Sequence, residues 1–198
     1  MEVTYFPLGP IQANCYILKE NGHALIIDPG YRFDADKEFE NYIVDGILLT
    51  HCHFDHIGGV DFLVKKYNCP VYIHEIEKDN LKDPALNGSS NFGMYSKQIS
   101  EITPIQEGFL QVGNFSIEVI HCPGHSKGSC VFKIEDALFT GDVLFKESIG
   151  RTDLMGGSYK EMEQSLLKFK QMDKNYLVFP GHGPYTTLEE ELKYNPYL

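Results

Sequence analysis

The sequence predicts an α/β sandwich in which two β-sheets pack together and helices cover the outer faces. Three observations carry this. The first half opens on a strand pair and then alternates strand-like with helix-like segments. The second half holds three strand-like runs ahead of a well-signalled helix. One more strand-like run, Tyr176 to Phe179, follows that helix. The 198 residues, 42% of them hydrophobic, suffice for a sizeable core and are short for two large domains. One unit spanning 1–198 is therefore expected.

In chain order, Val3 to Phe6 reads as the first strand. Cys15 to Lys19 and Ala24 to Asp28 read as a hairpin about the turn Asn21-Gly22, ending at Pro29-Gly30. A polar helical stretch near Asp34 to Tyr42, a strand at Gly46 to Leu49, a His-rich loop, a helix from about Gly59 to Tyr67 and a strand at Val71 to Ile73 complete the first half. The second half has strands near Gly113 to Ile120, Cys130 to Ile134 and Ala137 to Thr140. A helix follows, with Ser158 and Glu161 spaced as a Ser-x-x-Glu capping box. The one long irregular stretch, Asp83 to Gln98, is rich in Gly, Ser and Asn, and loops of that length are often functional.

Composition removes several classes. No apolar run approaches the roughly 20 residues that cross a bilayer. The start, Met1-Glu2-Val3-Thr4-Tyr5, lacks the basic and apolar regions of a secretory signal, so a cytoplasmic location is expected. Seventeen basic against twenty-eight acidic residues give a net charge of −11, an average field that repels a phosphate backbone and argues against nucleic acid. Five cysteines without a C-x-x-C pair read as reduced thiols rather than a disulfide framework or thiolate zinc site.

The chemistry concentrates in Thr50-His51-Cys52-His53-Phe54-Asp55-His56-Ile57-Gly58-Gly59. His51 and His53 are two apart, so in extended chain their imidazoles point to one side and one ion can take both. Asp55 and His56 project differently and suit a second ion beside the first. Gly58-Gly59 are expected to let the backbone turn tightly into a helix. Three further segments each place a lone His or Asp beside small residues at a strand end: Pro123-Gly124-His125-Ser126, Phe139-Thr140-Gly141-Asp142 and Phe179-Pro180-Gly181-His182-Gly183. Imidazole and carboxylate suit zinc, iron or manganese.

On these four motifs the chain resembles the metallo-β-lactamase-fold hydrolases over nearly its whole length. Leu8-Gly9-Pro10-Ile11-Gln12-Ala13-Asn14-Cys15-Tyr16, Asp83-Pro84-x-x-Asn87-x-Ser89-x-x-Phe92-Gly93 and Ile149-Gly150-Arg151-Thr152-Asp153 are similar to the small single-domain glyoxalase II-like branch. The resemblance implies a four-layer αββα sandwich and two divalent metal ions, zinc first and iron or manganese as alternatives. His51, His53 and His125 would hold one ion, Asp55, His56 and His182 the other, and Asp142 would bridge them. Because the sequence reaches Leu198 soon after the last of these ligands, the helical C-terminal domain with which full-length glyoxalase II enzymes grip glutathione is expected to be absent.

Two cations sharing a carboxylate can share a water, whose pKa falls from about 15.7 to about 7, so attack by a bridging hydroxide is expected. A thiolate leaves without protonation whereas an amide nitrogen needs an acid, which favours a small thioester over an amide, with an ester also in range. Asp55 and Asp142 are the expected catalytic carboxylates, and Asp55 is a candidate proton shuttle. Arg151, Asn87 and Phe92 are the expected substrate contacts, with the Asp83 to Gln98 loop, including Tyr95, as a substrate-facing lid. A buried Arg151–Asp153 pair that merely shapes its loop, and a plain surface insertion at 83–98, are the structural alternatives.

Cys52 and Cys122 are expected to pack rather than ligate, His121 to be a backbone-bonded structural residue, and His23 and His74 to be surface residues or caps. Three other functions compete with the hydrolase. A persulfide dioxygenase would use one iron held by two histidines and the aspartate. A nuclease of this motif would need added domains. A non-catalytic module would use metal only to stabilise the fold.

Overall fold

The computed structural model of the chain describes residues 1–33, 36–92 and 101–198. In sequence order the strands and helices are β1 (Glu2–Leu8), β2 (Ala13–Glu20), β3 (His23–Ile27), α1 (Asp36–Phe39), β4 (Ile43–Leu49), α2 (Phe54–Ile57), α3 (Val60–Tyr67), β5 (Val71–His74), β6 (Thr103–Ile105), β7 (Gly108–Val112), β8 (Phe115–His121), β9 (Cys130–Ile134), β10 (Ala137–Gly141), β11 (Leu144–Phe145), β12 (Ser148–Ile149), α4 (Tyr159–Lys170), β13 (Leu177–Pro180), β14 (Thr186–Thr187) and α5 (Leu188–Tyr194).

Two six-stranded sheets result, ordered β1-β2-β3-β4-β5-β6 and β14-β13-β10-β9-β8-β7. In the first, β1 to β3 pair antiparallel and β3 to β6 parallel. The expected hairpin is present, with Glu20 opposite His23 across Asn21-Gly22. In the second sheet β7 to β10 are antiparallel, β13 runs parallel to β10, and β14 closes the edge.

The α/β sandwich follows from how the central strands divide their side chains. Successive residues of a strand face opposite ways, so a strand buried on both faces must be apolar throughout. In β3, Leu25 and Ile27 enter the core between the sheets while Ala24 and Ile26 enter the outer core under α3. In β9, Phe132 points between the sheets and Val131 packs outward with Met162, Leu166 and Phe169 of α4. Between the sheets Tyr16 meets Phe139 and Phe179 edge-on, with centroids 5.3 and 5.5 Å away.

Two expectations change in detail. Ser158 does cap α4, its hydroxyl accepting the Glu161 N–H at 3.3 Å. Its own N–H, however, goes to Gly124 O at 2.8 Å, so the cap fastens the helix to the loop carrying His125 rather than completing the reciprocal box. The helix expected near Asp34 to Tyr42 is the single turn α1, and residues 34 and 35 lie outside the described residues. No described helix is long and apolar enough to cross a membrane.

Candidate metal centre

The loops that follow β3, β4, β8, β10 and β13 meet at one edge of the sandwich, at the carboxyl ends of those strands. The backbone fastens the two sheets there, Cys130 N–H donating to Thr50 O at 2.9 Å and Asn14 N–H to Gly181 O at 2.7 Å. His51, His53 and His125 each offer a ring nitrogen, and Asp55, His56 and His182 each offer a ligand atom. Within each trio these atoms lie within 4.8 Å of one another. Asp142 stands between the trios. Its Oδ1 is 3.4 Å from His56 Nε2, and its Oδ2 is 3.3 Å from His125 Nε2 and 3.6 Å from His182 Nε2.

The outward ring nitrogens are already committed, which fixes what the inward ones can do. Thr50 Oγ1 donates to Asp28 Oδ2 at 2.6 Å, so it must accept from His51 Nδ1, 3.0 Å away. His56 Nδ1 lies 3.0 Å from the same Asp28 oxygen, and His125 Nδ1 lies 2.8 Å from Arg151 O. Each outer partner thus takes the Nδ1 side of its ring and aims Nε2 inward, the arrangement of a metal-ligating histidine held by outer partners. His53 Nδ1 faces His125 Nε2 at 2.8 Å. Asp28, His51 and His56 also cluster. The Asp28 oxygens are occupied by Thr50 N–H, Thr50 Oγ1 and His56 Nδ1, so Asp28 supports the centre from outside.

Burial, and after it the neighbouring imidazoles, push His51 well below the usual histidine range. Burial and then His125 lower His53 to about 4. Both are therefore neutral lone-pair donors. Burial disfavours a charge on Asp142, yet the imidazoles of His56 and His125 outweigh it and hold the carboxyl well below its ordinary range. Burial opposes protonation of His56 too, but Asp55, Asp142 and Asp28 overcome it and raise its pKa. His51 Nε2, His56 Nε2 and Asp142 Oδ1 are buried without a hydrogen-bond partner. Leaving such an atom unmet costs about 1–3 kcal/mol each. His56 Nε2 and Asp142 Oδ1 face each other at 3.4 Å, and this convergence of buried atoms, all of metal-ligating type, fits divalent cations.

Of the expected substrate residues, Phe92 is exposed and packs on Phe54 with centroids 4.7 Å apart, and both line a cavity of about 430 Å³ over the centre. Arg151 lines it as well. Its pair with Asp153 forms, at 2.7 and 2.8 Å, but is exposed rather than buried, with both side chains more than half accessible. Asn87 lines the same cavity. It is buried, and its carboxamide donates to Leu81 O at 2.9 Å and accepts from Ser89 N–H at 3.0 Å, holding its own loop in shape. Gly93 to Gln98 of the expected lid, Tyr95 included, lie outside the described residues.

Cys52 and Cys122 pack in apolar clusters. His121 bonds the Lys127 carbonyl at 2.8 Å, and His74 caps the turn Glu75–Glu77 but is buried rather than at the surface. His23 bonds Asp45 at 2.9 Å. Gly58 and Gly59 are needed for a different reason than a tight turn. Their φ values, −61° and −96°, are ordinary. A Cβ on them would lie 2.4 Å from Gly30 O and 2.5 Å from Tyr31 O, so the absent side chains let the loop after β3 press against α2. Sequence reasoning passed over Asp28, Thr50 and Asn14. Asn14 donates to Pro180 O at 3.0 Å and Gly183 O at 2.8 Å, bracketing His182. The acidic residue at the end of β3, just before Pro29-Gly30, was the available signal for Asp28.

Fold and centre together define a metal-binding αββα protein. The chain belongs to the metallo-beta-lactamase superfamily, whose model matches residues 8–182. It is 40% identical to the probable metallo-hydrolase YqgX of Bacillus subtilis, over 97% of this chain and 95% of that protein. It is 32% identical to the hydroxyacylglutathione hydrolase GloC of Haemophilus influenzae, over 100% and 98%. Among solved structures, BLEG-1 B3 metallo-beta-lactamase matches with TM-score 0.90 at 41% identity, covering 100% and 99% of the two chains. TTHA1623 in a di-iron-bound form matches with TM-score 0.86 at 34% identity, over 98% and 100%.

Proposed function

We propose that this metallo-hydrolase is a binuclear thioester hydrolase of the glyoxalase II-like kind, with a small hydroxyacyl thioester as substrate. One observation carries the metal part of the reading: buried lone pairs converge from two trios of side chains with Asp142 between them. His51, His53 and His125 would hold one ion, Asp55, His56 and His182 the other, with Asp142 shared; zinc is the first expectation, and the di-iron neighbour makes iron the alternative. Bound there, such cations supply an acidified water as nucleophile and polarise the scissile carbonyl.

The thioester part rests on the leaving group. Among the described residues lining the cavity, the ionisable side chains are the ligands themselves and Arg151. None is a spare acid for an amine, whereas a thiolate, whose conjugate acid has a pKa near 8.5, departs unaided. Asp55, 3.2 Å from His182 Nε2 and lining the cavity, is placed to take up a proton released at the centre. Phe54 and Phe92 form an apolar wall that keeps water from the acyl group, and Arg151 stands at the rim for the carrier end of the substrate. The GloC relative, matched over nearly its full length, supports the same substrate class.

The 41% identical B3 metallo-beta-lactamase structure favours a second reading, β-lactam hydrolysis. Its nitrogen leaving group needs a proton that, among the described residues of the cavity, only Asp55, itself a proposed ligand, could return, whereas a thiolate needs none. A panel of hydroxyacyl thioesters, β-lactams, lactones and glutathione persulfide, the last with oxygen uptake recorded, separates these activities. Thioester turnover well above the others is expected; persulfide-dependent oxygen uptake by a mononuclear iron form would replace this reading with a dioxygenase. Metal-dependent thermal stability with no turnover at all would leave a non-catalytic module.

A further inference from the structure

Glu77 is wholly buried, and the proposed chemistry does not use it. It closes the turn Glu75–Glu77 after β5 and so belongs to the first sheet. Its carboxyl reaches across to the loop between β8 and β9, which carries His125. There Oε1 accepts the Gly128 N–H at 2.6 Å and the Ser126 hydroxyl at 2.7 Å. Gly128 is shaped to receive it, since a Cβ there would lie 2.6 Å from Glu77 Cγ and 3.0 Å from Oε1. Ser129 Oγ completes the loop, 2.7 Å from Ser126 Oγ and accepting the Ser126 N–H at 3.1 Å. Glu77 Oε2 is buried without a hydrogen-bond partner. The turn it closes follows β5, which pairs in parallel with β4, the strand that leads into His51 and His53.

We propose that Glu77 is a positioning residue: by clamping the Ser126–Gly128 segment to the turn after β5, the strand beside β4, it sets the spacing of His125 from His51 and His53, and with it the metal affinity of that half of the centre. It touches neither ion nor substrate. The other half is tied by different residues, His56 by Asp28 and the His182 loop by Asn14, so it serves as an internal control. The inference rests on the metal-ligand reading of these histidines and is independent of the thioester assignment.

The test is calorimetric titration of metal-free protein with Zn²⁺, repeated with Co²⁺ while its visible absorption is followed. His125→Ala and His182→Ala mark which binding event belongs to which half. Glu77→Ala is expected to weaken the His51/His53/His125 event by at least about tenfold, the scale of lost outer support, and to leave the other unchanged. Ser126→Ala weakens the same event less. Glu77→Gln, which keeps the Oε1 acceptor, restores most of the affinity. Wild-type affinity for both ions in Glu77→Ala, or equal weakening of both events, would overturn the proposal. Should Glu77→Ala not fold, Ser126→Ala decides alone, and unchanged binding overturns it. A wild-type protein that binds fewer than two ions contradicts the centre and this inference with it.

Discussion

Asp142 stands between the two halves of the proposed centre. Its carboxylate lies within 3.6 Å of ring nitrogens from His56, His125 and His182, which come from helix α2 and two loops. Asp142→Ala is expected to leave at most one tightly bound ion and to lower thioester kcat by at least about 10²-fold, the scale of losing one well-placed electrostatic stabiliser. Two ions and full turnover in that variant would remove Asp142 from the mechanism. Asp28 acts one layer out. Asp28→Ala frees His56 Nδ1 and Thr50 Oγ1 together, and metal affinity measured against a competing chelator should fall by about 10- to 100-fold. The four segments that the fold brings together were legible in the sequence, the first from the density of His and Asp over 51–56 and the other three from the small residues beside His125, Asp142 and His182. Asp28 was not, because its role depends on a hydrogen bond from β3 to α2 that no local spacing encodes.

At the scale of elements, local signals and tertiary needs diverge in identifiable places. Ser158 announced α4, and its hydroxyl does cap the helix. Ser158→Ala should cost about 1 kcal/mol in a denaturant titration, a typical value for losing an N-cap. The core between the sheets is more demanding. Phe132 is fully buried on β9, and Phe132→Ala is expected to cost about 3–5 kcal/mol by leaving a cavity that two packed sheets cannot close. A loss under 1 kcal/mol would show that the sheets do close. Strands β6 and β7 were not anticipated. The first is three residues long and contains Pro104, and the second leaves Phe109 91% exposed, so neither displays the apolar run that marks the central strands. Helix α5 was missed because its sequence, Leu-Glu-Glu-Glu-Leu-Lys-Tyr, buries only Leu188 and Glu191 and so shows little of an apolar face.

For the whole molecule, the centre couples folding, protons and metal. Without metal, His56 and His182 have raised pKa values. For His56 the carboxylates of Asp55, Asp142 and Asp28 prevail over burial; for His182 the Asp55 hydrogen bond does. A cation must displace those protons, so binding releases protons at neutral pH and affinity falls as pH is lowered. Titrations in buffers of different ionisation enthalpy count the protons directly, and zero release would contradict the assigned ligands. Metal that binds only the folded chain also raises its stability, by about 2.7 kcal/mol at a hundredfold excess over Kd, so chelation should lower Tm. The two-layer arrangement of sheets was legible from strand order and apolar runs. Their meeting edge was visible only through the four ligand motifs, since the cross-sheet ties at Cys130–Thr50 and Asn14–Gly181 run through the backbone.

The most direct test of the central claim is metal analysis of the purified protein beside turnover of a hydroxyacyl thioester, before and after chelation. Two divalent ions per chain are expected, with hydrolysis that disappears when they are removed and recovers when both are restored. One ion at full activity, or thioester cleavage that survives chelation, would contradict it.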